Sequence, residues 1–258
     1  MAPRIASLVP SLTELVVALG LRDQLVARTG YCIHPAAALH DVPKVGGTKS
    51  VNLAKLRRLA PTHVLVNVDE NTLDTVVALR AFVPEVLITH PCAPADNLLL
   101  IDQFCGAFGE RPGVRERASA LRGELARELA ATPPADLTPQ RVLYLIWREP
   151  WMTVARDTYI SRMLARIGWF SQPALDGGEA GAARYPGVRG DEVWLAEVQR
   201  VLLSSEPCAF DADAANAAQA LCPAARVQRV DGELLGWYGP RAVSGLRYLR
   251  TLASAPTG

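Results

Sequence analysis

The chain has 258 residues, of which 50% are apolar and 21% are charged, and its formal net charge at pH 7 is +1. This composition excludes a disordered or fibrous chain and is typical of one large or two small globular domains. Acidic and basic residues are interspersed, so the charge pattern does not support nucleic acid or anionic lipid as a partner and favours a small molecule.

The first part of the chain alternates short apolar runs with helical patterns. Runs rich in leucine and β-branched residues predict strands at residues 4–8, 63–67 and 85–89, with a weaker strand near Val26. Ser11 and Glu14 have the spacing of a capping box, which predicts a helix that starts at Ser11 and stops at Gly20. Asn52 is the predicted cap of a second helix over residues 53–59.

A long amphipathic pattern follows over residues 112–132, where apolar residues recur every three or four positions among charged ones. Such a helix would be roughly 27–30 Å long, enough to run the length of a small domain. After it the alternation restarts, with predicted strands at 141–147, 201–205 and 226–230 and predicted helices at 159–167, 191–198 and 240–253.

Strands that alternate with helices predict an α/β protein with parallel sheets. The sequence therefore predicts an N-terminal α/β lobe over residues 1–111, a connecting backbone helix over residues 112–132 and a C-terminal α/β lobe over residues 133–258. In open parallel sheets, ligands bind beyond the carboxyl ends of the strands, and we expect a cleft between the two lobes to collect the loops found there.

The candidate ligand-binding residues lie in these strand-end loops and in loops of the same kind, where aromatic and charged side chains occur together. They are Tyr31, Cys32, His34, Thr48, Lys49, Asn67, Glu70, Arg148, Trp151, Arg184, Tyr185, Glu206, Trp237 and Tyr238. Arg184 and Tyr185 follow a stretch rich in glycine and alanine, which predicts a mobile loop that either closes over a ligand or only connects two elements.

The five cysteines are far apart and form no Cys-x-x-Cys pair, which argues against a disulfide framework and favours a reducing compartment. Cys32 and His34 could ligate a metal together with His90 and Cys92, since zinc prefers four nitrogen or sulfur ligands. The ordinary alternative is that the cysteines are small buried apolar residues. A catalytic pair of Cys32 and His34 is disfavoured, because side chains two residues apart on an extended segment rarely bond to each other.

Several stretches carry a resemblance to a known family. They are RIASLVPSLTELVVALGL at the start, VPKVGGTKSVNLAKLRRLAPTHVLV after it, and Gly239-Pro240-Arg241 before the last helix. In this order they resemble the helical-backbone substrate-binding proteins, the family that includes vitamin B12-binding and iron-siderophore receptors. YCIHP, GGTK, DEN and WYG are similar to stretches in a signal-less branch of that family, which is labelled cobalamin-binding.

The resemblance implies two Rossmann-like lobes joined by one long helix, and non-catalytic binding of a corrinoid or another metal chelate with no required cofactor. In the vitamin B12-binding members, aromatic residues stand where this chain has Thr48 and Asn67, so a corrin ring would lose two stacking partners. Family members that dock on a transporter carry an acidic residue on each lobe, and Leu73 stands at the matching position of the first lobe. Docking on an ABC transporter permease is therefore left open.

The alternatives are direct binding of a transition-metal ion through the Cys and His loops, and an enzyme that has recruited the fold. A monomer is favoured. The N-terminus shows no signal-peptide pattern, which predicts a cytoplasmic protein if Met1 is the native start, and a periplasmic one if the chain is a mature form.

Overall fold

The computed structural model describes residues 2–131 and 137–254, which form two compact units. The first unit contains the residues up to Pro91, Ala95–Arg127 and Tyr238–Pro240, and the second contains Cys92–Pro94, Glu128–Trp237 and the residues from Arg241 onward. The chain passes from the first unit to the second within a helix, between Arg127 and Glu128, and two short segments, Cys92–Pro94 and Tyr238–Pro240, are exchanged between the units. The predicted lobe boundaries stay a prediction, and positions 132 and 133, which they include, lie outside the described residues.

The first unit is built on a parallel sheet of four strands in the order β2-β1-β3-β4. The strands are β1 (Ile5–Ser7), β2 (Leu25–Arg28), β3 (His63–Asn67) and β4 (Glu85–Thr89). The bounds of β3 and β4 are those predicted from the sequence. Alternate side chains of β1 and β3 pack with residues of the flanking helices in one buried cluster, which includes Ala6, Val64 and Leu79.

Helices cover this sheet. They are α1 (Pro10–Ala18), α2 (Ala36–Leu39), α3 (Leu53–Arg58), α4 (Leu73–Arg80), α5 (Asp96–Phe108) and α6 (Val114–Ala130). Helix α6 is the helix predicted over residues 112–132, and the boundary between Arg127 of the first unit and Glu128 of the second falls within it. The sequence did not identify α5.

Two predicted helix caps had different outcomes. The side chain of Asn52 accepts a hydrogen bond of 2.8 Å from the backbone N–H of Lys55, which confirms it as the cap of α3. The capping box at Ser11 is wrong, because α1 begins one residue earlier at Pro10 and its cap position is Val9, without a side-chain bond. Proline is well suited to the first helical position, since it has no N–H to satisfy there.

The second unit is built on another parallel sheet of four strands, in the order β10-β9-β5-β7, together with a two-stranded antiparallel sheet of β6 and β8. The strands are β5 (Gln140–Leu145), β6 (Trp151–Met152), β7 (Trp169–Ser171), β8 (Gly187–Val188), β9 (Arg200–Ser204) and β10 (Arg226–Val230). The sequence predicted β5, β9 and β10 and did not identify the other three.

The helices of the second unit are α7 (Tyr159–Ala165), α8 (Ala212–Leu221), α9 (Gly232–Gly236) and α10 (Arg241–Ser254). The helix predicted over residues 191–198 is a short 3₁₀ helix, Val193–Glu197, followed by Val198 in an extended conformation. Leucines and valines of β5 and β9 pack against the alanine-rich face of α8. Within the part of the chain that the structure describes, no helix is long and apolar enough to cross a membrane.

Candidate ligand-binding site

In each unit the strands of the main sheet run parallel, so their carboxyl ends lie along one edge of that sheet. We call this edge, with the loops that follow the strands, the carboxyl edge of the unit. The first unit contains Tyr31, Cys32, His34, Thr48, Lys49, Asn67, Glu70, His90 and Tyr238, and the second contains Cys92, Arg148, Trp151, Arg184, Tyr185, Glu206 and Trp237.

Tyr31 lies in the loop after β2 and is 65% exposed. A buried side chain fixes this loop from inside, because the guanidinium of Arg28 donates to the backbone carbonyls of Cys32 at 3.0 Å and Leu39 at 3.1 Å. Gly47 leaves space for the tyrosine ring, since a Cβ atom there would lie 3.2 Å from Cε2 of Tyr31. The first unit therefore presents an exposed aromatic ring on a well-anchored loop.

Cys32, next in the chain, is fully buried. Its Sγ atom lies 3.1 Å from the hydroxyl oxygen of Thr29, and burial raises the pKa of the thiol. A raised pKa disfavours the thiolate, which is the form that binds metals and attacks electrophiles. Cys32 is thus part of the interior of the first unit. This agrees with the alternative prediction that the cysteines are small buried apolar residues.

Lys49, Glu70 and their partners form a second polar group in the first unit. The Nζ atom of exposed Lys49 donates to the backbone carbonyl of Asp69 at 2.6 Å, and the carboxylate of Asp69 lies 3.5 Å from Nε2 of His90. Glu70 accepts a hydrogen bond of 3.0 Å from the hydroxyl of Tyr238. Tyr238 is buried, and this burial, with the nearby charge of Glu70, raises the pKa of its hydroxyl well above the usual value.

Asn67 and Thr48 have structural partners in the first unit. Asn67 is buried, and its side-chain oxygen accepts a bond of 2.8 Å from the backbone N–H of Asp69. Asn71, which the sequence did not single out, accepts from the backbone N–H of Asn67 at 2.9 Å and donates to the carbonyl of Thr48 at 3.0 Å. These bonds hold the turn after β3 against the loop that carries Lys49.

In the second unit, Trp147 and Arg148 lie in the loop after β5, and Trp151 is the first residue of β6. Trp151 stacks on Phe210 with ring centroids 6.1 Å apart, and the guanidinium of Arg148 lies 5.7 Å from the centroid of the Trp151 ring. Arg148 also pairs with Asp213 at 2.8 Å. Trp147 is 44% exposed. The sequence did not select it, because the strand predicted over residues 141–147 ends at Trp147, whereas β5 ends at Leu145.

Arg184 differs from the sequence prediction, since its side chain is 1% exposed. The guanidinium donates to the carbonyl of Gly178 at 2.7 Å and to Sγ of Cys92 at 3.4 Å, and it lies 3.7 Å from the carboxylate of Asp157. Arg184 therefore fixes the loop from inside the second unit, whereas the sequence predicted a mobile loop. Tyr185, the next residue, is partly buried.

Glu206 and Trp237 are joined in the second unit. The indole Nε1 of Trp237 donates to Oε1 of Glu206 at 2.5 Å, and the guanidinium of Arg241 lies 4.7 Å from the centroid of the Trp237 ring. Burial raises the pKa of Glu206 to about 7. Trp237 itself is buried, so its indole plane is largely covered by protein.

The predicted metal site does not form. Cys32, His34, His90 and Cys92 are all among the described residues, and no group of three or more His, Cys, Asp or Glu side chains found there is arranged to hold a metal ion. The physical reason is clear for two of the four residues: Cys32 is buried against Thr29, and the thiol of Cys92 accepts from Arg184.

Known proteins with similar sequences and structures share this architecture. No family model matches the chain. The vitamin B12-binding protein of Vibrio cholerae serotype O1 (strain ATCC 39541) is 25% identical over 167 residues, which are 65% of this chain and 59% of that relative. The chain thus covers about three fifths of the length of the curated relative that it matches.

Solved structures match over almost the whole chain. The periplasmic vitamin B12-binding protein BtuF of Vibrio cholerae superposes with a TM-score of 0.80 at 21% identity, with 99% of both chains covered. The periplasmic heme-binding protein HutB of the same organism gives a TM-score of 0.76 at 24% identity and covers 98% of this chain and 100% of its own. The predicted resemblance to the helical-backbone substrate-binding proteins is confirmed, and the chain has their fold of two parallel-sheet α/β lobes.

Proposed function

We propose that the chain is a non-catalytic binding protein for a bulky small molecule, either a corrinoid or another metal chelate built on a flat macrocycle. The observation that carries this proposal is the structural match to a vitamin B12-binding protein over 99% of the chain. The 25% sequence identity to a curated vitamin B12-binding protein of the same species agrees with this structural match. The match to a heme-binding protein supports the wider class of metal macrocycles.

The exposed aromatic rings favour a ligand with a flat face. Tyr31 in the first unit and Trp147 in the second are large exposed side chains at the carboxyl edges, whereas Trp237 and Tyr238 are buried. An exposed ring on an anchored loop offers contact area at a low cost in conformational entropy. We therefore assign ring contacts to Tyr31 and Trp147.

Polar groups in the loops at the same carboxyl edges would orient the substituents of such a ligand. In the first unit, Lys49 presents an exposed ammonium group that is held by the carbonyl of Asp69. In the second unit, Arg148 presents a guanidinium between Asp213 and Trp151. Corrinoids carry amide side chains and hemes carry carboxylates, and both accept hydrogen bonds from ammonium and guanidinium groups.

The partner and the location are part of the same proposal. The similar structures are described as periplasmic proteins, which supports the periplasmic alternative for the mature form. An ABC transporter permease is the corresponding partner beyond the small ligand. Leu73 is exposed at the position where docking members of the family carry an acid, so we propose that any docking surface of the first unit differs from theirs.

An absorbance titration of the purified chain tests the proposed function. Cyanocobalamin, cobinamide and hemin are each added to the protein, and the ligand is then recovered and weighed by mass spectrometry. We expect at least one of them to give a saturable spectral change at one ligand per chain, with its mass unchanged on recovery. A saturable change with an altered ligand would indicate an enzyme, and no change with any of the three would reject the proposal.

A further inference from the structure

Glu206 occupies a narrow space between the end of β9 and the backbone of α9. A Cβ atom at Gly232 would lie 2.9 Å from Cγ of Glu206 and 2.3 Å from the hydroxyl oxygen of Ser204, and one at Gly236 would lie 4.0 Å from Oε1 of Glu206. The Glu206 side chain thus packs against two glycines of one helix, with Gly232 beside its Cγ and Gly236 beside its carboxyl oxygen. The backbone N–H of Glu206 donates to the Ser204 hydroxyl at 3.3 Å, which fixes the base of the side chain.

The charged groups around Glu206 are already engaged with other residues. Arg241, whose charge acts on Glu206 through space, forms an ion pair with Glu233. Asp231 caps α9 by accepting from the backbone N–H of Leu234 at 2.9 Å. Behind Ser204, the hydroxyl of buried Tyr144 donates to the serine oxygen at 2.9 Å. The direct partner of the Glu206 carboxyl is therefore the neutral indole N–H of Trp237.

These neighbours set the proton affinity of the carboxyl. Burial raises the pKa of Glu206 to about 7, and the charges of Glu233 and Asp231 act in the same direction. The hydrogen bond from Trp237 and the charge of Arg241 oppose the increase. Glu206 is then ionised above neutral pH and protonated below it, within the range that a protein meets in cells.

We propose that Glu206 and Trp237 form a proton switch at the carboxyl edge of the second unit. The ionised carboxylate holds the Trp237 indole through a short hydrogen bond, and protonation weakens that bond. Hydrogen bonds to an ionised acceptor are roughly twice as strong as those between neutral groups. The switch is separate from the proposed ligand binding, because both of its members belong to this chain and no ligand is needed for it to operate.

The segment that the switch controls is the end of α9. Trp237 is the residue that follows this helix, and its backbone N–H donates to the carbonyl of Glu233 at 2.9 Å. Three residues later the chain reaches Pro240 and enters α10. A weaker indole bond at low pH therefore loosens the attachment of the end of α9 to the turn after β9.

The indole N–H resonance of Trp237 tests the switch directly. The full chain, labelled with ¹⁵N, is titrated from about pH 5 to about pH 9, and the Trp237 signal is identified by its loss in Trp237→Phe. We expect the Nε1–H proton to move downfield as pH rises, with a midpoint near the value of about 7 given for Glu206. No inflection in this range would overturn the proposal.

Glu206→Gln should abolish the inflection, whereas Glu197→Gln, which changes a carboxylate paired with Arg141, should leave it intact. An inflection that persists in Glu206→Gln would assign the titration to another group and would also overturn the proposal. The ¹³C shift of the Glu206 carboxyl in the unaltered protein gives a test that needs no folded variant. A Glu206 midpoint within about one unit of the ordinary glutamate value of roughly 4.3 contradicts the switch.

Discussion

The hydroxyl of Tyr238 donates a hydrogen bond of 3.0 Å to the carboxylate of Glu70, although 168 residues separate them in the chain. The next residue, Gly239, donates its backbone N–H to the side-chain oxygen of Asn97 at 2.5 Å. These two bonds place the segment Tyr238–Pro240 in the first unit, although its neighbours on both sides belong to the second. Removing either bond should therefore affect the stability of the first unit.

Tyr238→Phe should lower the free energy of unfolding by about 1 to 3 kcal/mol, because it leaves a partly buried carboxylate without its hydroxyl donor. Urea denaturation followed by circular dichroism measures the change. Tyr31→Phe is the matched control, since it removes a hydroxyl from an exposed ring and should change the stability by less than about 0.5 kcal/mol. Equal effects of the two substitutions would show that the Tyr238 bond does not stabilise the fold.

Arg184→Ala should destabilise the second unit by about 3 to 5 kcal/mol. The substitution removes a buried guanidinium and leaves the carboxylate of Asp157 and the carbonyl of Gly178 without this donor. Arg189→Ala, at an exposed position five residues later, is the control and should have an effect within about 0.5 kcal/mol. If both variants melt like the unaltered protein, Arg184 does not anchor the loop.

The cysteine thiols should fall into a slow and a fast class in their reaction with iodoacetamide. Burial raises the pKa of Cys32, and it raises the pKa of Cys222 to about 11, so both should resist iodoacetamide in the folded protein at mildly alkaline pH. Cys92, Cys105 and Cys208 are partly exposed and should be labelled sooner. Peptide mass spectrometry after timed labelling reads out each site, and labelling after denaturation is the control. Rapid modification of folded Cys32 would contradict its buried position.

The stability of the protein should depend on the ionisation of Glu206. Its pKa is raised on folding, so its stabilising contribution is complete below the ordinary glutamate pKa and is lost as the pH rises through about 7. Glu206→Gln removes this loss. Relative to the unaltered protein, the variant should therefore gain up to about 3 kcal/mol between pH 5 and pH 8 in urea denaturation. A difference that is constant with pH would contradict the raised pKa.

Ring contacts with the ligand should be lost in Trp147→Ala. Removal of one stacked ring typically costs about 0.5 to 1.5 kcal/mol of binding free energy, in addition to the contribution of the apolar area that the ring buries. We therefore expect the dissociation constant to rise roughly tenfold. Phe170→Ala is the matched control, because Phe170 is similarly exposed in the same unit but lies within β7. Calorimetry with the ligand that binds most tightly compares the two. A larger loss in Phe170→Ala would move the ring contact away from the loop after β5.

The sequence was sufficient for much of the fold and for little of the site. The runs at 63–67, 85–89 and 226–230 coincide with strands because β-branched residues are bounded there by clear turns. The side chains of Trp237 and Arg184 looked like ligand contacts from their positions after glycine-rich or strand-end segments. Tertiary packing buries both, and no local pattern reports that burial. Conversely, Trp147 looked like the end of a strand and is exposed.

Native mass spectrometry of the protein purified from its own host tests the proposed function most directly. We expect a species heavier than the bare chain by the mass of one metal macrocycle, or an apoprotein that forms such a species when cyanocobalamin, cobinamide or hemin is added. A folded apoprotein that stays unliganded with all three compounds would contradict the proposed function.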